Sequence, residues 1–272
     1  MSTREVIAAG RAVATAGSVA VAGPWRLVPD LARVQALRIV RHPAFLLGAL
    51  WFVFGFGVGT PDTPYERYSF VTAIVVWLLA VPSYFAVNLV ATSGRRAGVD
   101  QWAEGLPMPE LHRTVAMLLA AAAPALVAAV GSVTYLALIG GDTGVPMLWQ
   151  HVASALVALL GAGFLAVAVS RLLPWPGLPL VALVGVVTAN FWVADRWPYL
   201  GAYVDFVQWT DTDAIPAREP GSASWHLAYL LALCALAAAG ALLPVARRRA
   251  LPFAAGAVAG VVVLMAGYLQ LP

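Results

Sequence analysis

The chain has no lysine, a single cysteine and few charged side chains. All of its 16 basic residues are arginine, and charged residues make up 11% of the 272 positions. The nucleotide-binding loop G-x-x-x-x-G-K-[ST] needs a lysine ammonium group at the β- and γ-phosphates, so this chain cannot contain that loop. The lone Cys234 excludes an intramolecular disulfide and a cysteine-rich metal site. We therefore expect that the chain does not hydrolyse nucleotide by itself.

Hydrophobic residues dominate the composition. They make up 61% of the sequence, and the mean hydropathy is +0.83, whereas a soluble domain has roughly a quarter of its residues charged. Seven apolar stretches approach the ~20 residues that a helix needs to cross the hydrocarbon core. They cover residues 43–60, 70–91, 115–139, 148–169, 178–194, 225–245 and 251–271. The sequence thus predicts an all-α, polytopic integral membrane protein.

The number of spans is six or seven. The first and fifth stretches are short, and Pro174, Pro176 and Pro179 lie at the start of the fifth, where a broken or half-crossing helix is an alternative. The last stretch, residues 251–271, is uncharged and long enough to cross, which would leave the C-terminus outside. If it lies in the membrane plane instead, six crossings remain.

The arginines give the orientation. Thirteen of the sixteen lie in short segments at alternate ends of the apolar stretches: before the first, after the second, after the fourth and after the sixth. Short cytoplasmic loops retain arginine during insertion, so we expect a multi-pass protein of the bacterial plasma membrane with a cytoplasmic N-terminus. Because these arginines are spread along the membrane edges, the net charge of +3 indicates contact with anionic lipid and not with nucleic acid.

The N-terminal region, residues 1–41, precedes a transmembrane domain, residues 42–272. Residues 5–23 are small and weakly apolar around Arg11, and we interpret them as a loosely ordered cytoplasmic arm. From residue 24 to 41 the apolar residues recur at helical spacing, and Trp25 marks one end. The apolar set is Leu27, Leu31, Val34 and Leu37. This pattern predicts an amphipathic helix at the membrane interface.

Two connections stand out. The inner loop, residues 92–114, predicts a short surface helix over residues 96–104, with Val99 and Trp102 on an apolar edge and Asp100 and Glu104 on a charged one. The outer loop, residues 195–224, is aromatic and then acidic, which is typical of short interfacial or re-entrant helices followed by a turn in water.

Polar residues inside the predicted spans have two interpretations. Side chains of this kind either join helices by hydrogen bonds or line a pathway, and the sequence favours neither. They include Ser83, Asn88, Thr188 and Asn190. Pro82 and Pro124 should kink their helices. Gly256 and Gly260 form a G-x-x-x-G pattern that permits close helix approach.

The four histidines do not suggest a metal site. None of His42, His112, His151 and His226 has a second metal ligand at i+3 or i+4. We therefore interpret them as interfacial residues and expect neither a metal nor a cofactor in this chain.

An outer-face enzyme is the strongest catalytic alternative. Ser222, Ser224 and His226 lie near Asp211 and Asp213 in the sequence, which would allow a Ser-His-Asp arrangement. No G-x-S-x-G elbow accompanies them, and Ser222 or Ser224 is equally suited to cap the following helix.

Three segments resemble ABC-2-type transporter permeases. The segment Arg38-Ile-Val-Arg-His-Pro43 is similar to the end of their connecting helix, and the loop from Arg95-Arg96 through Leu106-Pro107 to Arg113-Thr114 is similar to their cytoplasmic coupling helix. The segment Ser224-Trp-His-Leu-Ala-Tyr-Leu-Leu resembles actinobacterial members. The resemblance covers most of residues 24–249, and the last span departs from the usual six.

The resemblance implies a type V exporter-like permease without catalytic residues of its own. It would pair with a second copy or a sister permease, and separate ABC ATPase subunits, which hold ATP and Mg²⁺, would drive export by alternating access of a lipid, a peptide or an amphipathic small molecule. The implied ATPase-coupling residues are Arg95, Arg96, Val99, Asp100, Trp102, Glu104, Leu106 and Arg113. The second and fifth spans would line the substrate path, with Ser83, Asn88, Thr188 and Asn190 as contacts. The alternatives are an outer-face enzyme centred on His226 and a non-catalytic membrane scaffold or sensor.

Overall fold

The computed structural model describes residues 23–58, 70–98, 108–139, 149–173, 175, 177–196 and 222–270. Within these ranges all regular structure is helical. We number the helices in chain order. They are α1 (Val28–Val40, after a 3₁₀ turn at Pro24–Leu27), α2 (Pro43–Val58), α3 (Phe70–Ala91), α4 (Glu110–Ala120), α5 (Ala123–Ile139), α6 (Trp149–Leu172), α7 (Leu178–Arg196), α8 (Ala223–Leu242) and α9 (Ala250–Leu269). A single helical turn, Ser93–Arg96, follows α3.

For the described residues, the prediction of an all-α fold with helices long and apolar enough to span a membrane is confirmed. Five described segments are long and apolar enough to cross a bilayer: Phe70–Ala91, Glu110–Leu138, Val152–Leu172, Ala223–Leu242 and Ala250–Leu269. Of the first predicted span the structure describes α2, which has 16 residues. It counts as a sixth candidate only together with α1, which it meets at 62°. For the fifth predicted span, the apolar helix within the described residues is Leu178–Ala189. The chain therefore has the helices of a multi-pass membrane protein, with five or six candidate spans.

Helix α1 confirms the predicted amphipathic helix and shows that it has two apolar edges. Val28 and Ala32 are buried against Ala116 of α4. Three residues of the predicted apolar stripe stay exposed, namely Leu27, Val34 and Leu37. The first edge attaches the helix to the protein, and the second is available to the acyl boundary of a membrane.

Pro82 distorts α3, as predicted, and α2 packs directly on the distortion. Residues Val75–Ala80 form a π-helical segment just before it. In an α-helix the amide of residue 82 would donate to the carbonyl of Leu78, and proline has no N–H to give. A Cβ placed on Gly48 of α2 would lie 2.9 Å from that Leu78 oxygen and 2.7 Å from Pro82 Cβ. Glycine is therefore what allows α2 to approach this carbonyl.

A second helix break, just before Pro124, also lies against a glycine of a neighbouring helix. The helix is interrupted at Ala121 and Ala122, two residues before Pro124, and α4 and α5 continue each other as one 29-residue candidate span. A Cβ on Gly163 of α6 would lie 3.0 Å from the Ala121 carbonyl oxygen. Each break in a span is thus covered by a glycine of a neighbouring helix.

Helices α8 and α9 form an antiparallel hairpin. Tyr229 and Leu230, near the start of α8, pack against Ala266, near the end of α9. Nδ1 of His226 lies 2.9 Å from Oε1 of Gln270, and both side chains are buried. Of the predicted G-x-x-x-G pair, Gly256 faces Ala239 of α8, whereas a Cβ on Gly260 would meet nothing within 4 Å. The end of α9 therefore lies beside the beginning of α8.

The close approach of α2 to α3 predicts that Gly48→Ala destabilises the protein. The added methyl would meet a backbone oxygen and a proline ring, and overpacking of this kind costs about 1–3 kcal/mol. We expect a lower midpoint of thermal unfolding, measured by size exclusion after heating in detergent. Gly260→Ala is the matched control, because its methyl would enter open space. Equal midpoints for both variants would contradict the packing described at Pro82.

The α8–α9 hairpin predicts the side on which the chain ends. If both helices cross, a reporter fused after residue 272 and a reporter inserted at residues 247–249 lie on opposite faces of the membrane. By the arginine distribution the C-terminal reporter should be active outside and the inserted one inside. A C-terminal reporter that is active only in the cytoplasm would show that α9 does not cross.

Candidate functional site

One end of the bundle joins α1 to the first residues of the loop 92–114, which the sequence predicts to be the inner loop. Nη2 of Arg38 donates to Oγ of Ser93 at 3.1 Å, and Oγ of Ser93 donates to the carbonyl of Val90 at 2.8 Å. These two bonds connect the amphipathic helix to the end of α3. A displacement of the loop would therefore be transmitted to both helices.

His42 occupies the bend between α1 and α2. Its Nδ1 accepts a hydrogen bond from the backbone N–H of Ala44 at 3.2 Å. Burial, and secondarily the nearby Arg96 cation, hold the pKa of His42 below its ordinary value. The ring is therefore neutral at pH 7 and keeps the lone pair that accepts the Ala44 N–H. This contribution to stability is present above the ordinary histidine pKa and is lost as the pH falls through the lowered one.

The paired arginines of the predicted coupling loop bind backbone carbonyls. Nη1 of Arg95 donates to the carbonyl of Ser170 on α6 at 3.3 Å, and Nη2 of Arg96 donates to the carbonyl of Leu89 on α3. Both arginines are otherwise exposed. The start of the loop is thus attached to three helices, α1, α3 and α6.

The predicted surface helix does not begin at Arg96. The helical turn ends there, and Gly98 has a φ of +68°, a conformation that glycine adopts at little cost. The predicted start of a helix at Arg96 is therefore wrong, because the observed turn ends at Arg96 and Gly98 prevents its continuation. The remaining coupling residues lie outside the described part of the chain: Val99, Asp100, Trp102, Glu104 and Leu106.

The far end of the inner loop is attached as well. Glu110, the first residue of α4, forms an ion pair with Arg171 of α6 at 2.8 Å. His112 is 7% exposed, and its ring lies edge-on to Trp25, with 4.2 Å between the ring centroids. Arg113 is half-buried, and its Nε has no hydrogen-bond partner among the described residues. Both ends of the loop thus rest on α6 and on the N-terminal helix.

A cavity of about 560 Å³ lies between α3, α6, α7 and α8. None of the described residues that line it is charged, and most of the lining is alanine, valine and leucine. Trp77 and Tyr84 of α3, Tyr229 and Cys234 of α8, and Gly161 of α6 are its more distinctive members. Its volume lies within the ~300–1,000 Å³ of typical ligand pockets. The composition of the lining fits an apolar occupant.

Tyr84 holds α7 in place over this cavity. The side chain is fully buried, and its hydroxyl donates to the backbone carbonyl of Pro179 at 2.9 Å. Pro179 lies in the first turn of α7, and Leu183, one turn later, packs on the main core. The outward residues Val181 and Val184 are 63% and 54% exposed. Helix α7 is thus a thin wall between the cavity and the surroundings.

Three of the predicted path residues, Ser83, Asn88 and Thr188, are not among the residues that line the cavity. Ser83 is fully buried, and its hydroxyl has no hydrogen-bond partner among the described residues. Nδ2 of Asn88 donates to the carbonyl of Ala166 on α6 at 3.4 Å. This contact agrees with the interpretation of Asn88 as a residue that joins two helices. Thr188 is exposed, and the side chain of Asn190 lies outside the described set. The second and fifth spans do border the cavity, but through neighbouring apolar residues that carry no polar signal in the sequence.

Of the proposed outer-face triad, the structure describes His226, Ser222 and Ser224. The ring of His226 contacts Gln270 as described above, while Ser222 and Ser224 are exposed. Ser222 occupies the N-cap position of α8, as predicted, without a side-chain capping bond. Asp211 and Asp213 lie outside the described residues. The described side chains therefore give this histidine a helix-joining contact.

Comparison with known proteins gives no relative. No family model, curated protein or solved structure matches this chain. In the described part of the chain no three His, Cys, Asp or Glu side chains come together as metal ligands would. The inner loop and the cavity are therefore the two features of the chain that bear on its function.

The bond between Tyr84 and Pro179 predicts that Tyr84→Phe loosens α7. Losing the hydroxyl removes a donor from the Pro179 carbonyl, and a neutral hydrogen bond contributes about 1 kcal/mol. We expect faster hydrogen exchange at the amides of Leu180 and Val181, measured by mass spectrometry. The matched control is Tyr268→Phe on the exposed face of α9. Unchanged exchange in α7 would show that the hydroxyl does not hold this helix.

Proposed function

We propose that this chain is the permease subunit of an ATP-driven ABC transporter, energised by a separate ATPase subunit. The observation that carries the proposal is the attachment of the inner loop. Its start binds α1, α3 and α6 through Arg38, Arg95 and Arg96, and its end binds α6 through Glu110. A partner that moved this loop would act on helices that border the cavity.

The mechanism we propose is alternating access. Closure of two ATPase subunits on ATP would push the inner loops of two permease chains, which are either identical or sister subunits. Because α3 and α6 also form two walls of the cavity, the displacement would change its shape and its access to either side. The permease supplies no nucleotide chemistry, since it has no lysine for a phosphate-binding loop.

The cargo class that we propose is a lipid or another amphipathic molecule, moved outward. The apolar lining fits a lipid or a drug-like amphiphile better than a polar peptide, because unpaired peptide amides are costly to bury there. We retain export as the direction, as the family resemblance implies.

The enzyme alternative has weaker support. A Ser-His pair would place a serine hydroxyl on the His226 ring, and the described contact of Nδ1 is with the Gln270 amide. Conversion of a supplied ester or amide by the isolated chain, abolished by His226→Ala, would favour this alternative over transport.

The proposal predicts that Trp102→Ala weakens the complex with the ATPase. A large aromatic side chain at the centre of an interface commonly contributes about 2 kcal/mol or more, so the ATPase should be lost during purification without crosslinking, and hydrolysis should no longer depend on transport. The matched control is Trp175→Ala, since Trp175 is 74% exposed in the connection between α6 and α7. A Trp102→Ala variant with full ATPase content and wild-type transport would refute the coupling role of this loop.

A further inference from the structure

We propose that the cavity between α3, α6, α7 and α8 binds one hydrocarbon chain of a bilayer phospholipid. The site lies within a single permease chain, and its occupancy does not depend on the ATPase. A chain bound there would occupy the space that the proposed transporter offers its cargo, and it would be bound with or without the ATPase. The proposal therefore goes beyond transport and can be tested without it.

The shape of the cavity selects a chain. Its lining runs from Val157 to Leu172 on α6 and from Tyr229 to Gly240 on α8. At 1.5 Å per residue these runs are ~22 Å and ~16 Å long, so a cavity of about 560 Å³ has a mean cross-section of roughly 25–35 Å². A long space of this section accommodates a single extended hydrocarbon chain along the helix axes.

The chemistry of the lining favours an uncharged part of a ligand, such as a hydrocarbon chain. The Tyr84 hydroxyl donates to Pro179, and the Cys234 thiol donates to the carbonyl of Val157 at 3.3 Å. Within the described part of the chain, the residues that line the cavity carry no charge. A ligand head group would find no counter-ion inside and must stay outside, as the head group of a phospholipid does.

The position of α7 places the cavity close to the bilayer. Leu183, Val186 and Val187 on one side of this helix line the cavity. The opposite side of the helix is exposed. Its outward residues are apolar and exposed, as expected of a surface in contact with lipid tails. Acyl chains are therefore at hand beside the thin wall of the cavity.

The test uses the full chain in nanodiscs of unlabelled phosphatidylcholine that contain a trace of phosphatidylcholine with a photoactivatable diazirine in one acyl chain. After irradiation, crosslinked peptides are mapped by mass spectrometry. We expect labels on cavity residues such as Leu165 and Leu233, in addition to labels on the lipid-exposed face of α9. The α9 labels, for example at Val258, serve as the internal standard.

Two variants fill the cavity from opposite walls: Ala162→Phe on α6 and Ala237→Phe on α8. Each should abolish the cavity labels and leave the α9 labels unchanged. Ala257→Phe, on the exposed face of α9, is the matched control and should keep the cavity labels. Because the two filling variants act independently, misfolding of one, seen by size exclusion, leaves the other as the test.

A second arm replaces the lipid probe with a soluble single-chain amphiphile that carries the same diazirine chain. Cavity labels from the phospholipid that disappear on filling support the proposal. Cavity labels from the soluble amphiphile alone would overturn the phospholipid as the occupant and favour a transported molecule. An absence of cavity labels from both probes, or labels that survive both filling variants, would overturn the site itself.

Discussion

Backbone polar groups in the hydrocarbon core must be satisfied within the protein, and this constraint shapes the interior of the bundle. Pro82 and Pro124 each interrupt the helical hydrogen bonds of a candidate span. At both breaks a glycine of an adjacent helix, Gly48 or Gly163, brings another backbone against the exposed carbonyl region. A larger residue at either position would hold the helices apart. The packing of α2 on α3, and of α6 on the α4–α5 span, depends on these two approaches.

The same close packing connects the inner loop to the cavity. Helices α3 and α6 carry the acceptor carbonyls for Arg96 and Arg95, and both helices also supply cavity walls. A force on the loop therefore acts on rigid elements that reach the site. Helix α7 differs from them, since most of its residues are exposed or half-buried and Tyr84 anchors its first turn. Helix α7 is therefore the most exposed wall of the cavity.

Several features could be predicted from the sequence because they follow from composition and spacing. Apolar length predicted α3, α6, α8 and α9, and helical periodicity predicted α1. The side-chain roles were harder to predict. Asn88 joins α3 to α6 by a hydrogen bond. The sequence could not predict this contact, because nothing in a single sequence distinguishes a pathway amide from a packing amide. The helical turn ends at Arg96 because Gly98 adopts a positive φ. The prediction of a longer helix gave more weight to the apolar spacing of Val99 and Trp102 than to this glycine. The cavity left no sequence signal, because alanine and valine line it as they line any helix interface.

If an ATPase partner engages the inner loop, as we propose, the native complex contains both proteins, and its mass shows whether it does. The chain would be purified from its own membrane in nanodiscs, without crosslinking, and weighed by native mass spectrometry while its ATP hydrolysis is measured. The account predicts a particle with permease and ATPase subunits in equal numbers and hydrolysis that belongs to the partner. A homogeneous particle of this chain alone, with no associated ATPase under those conditions, would contradict it.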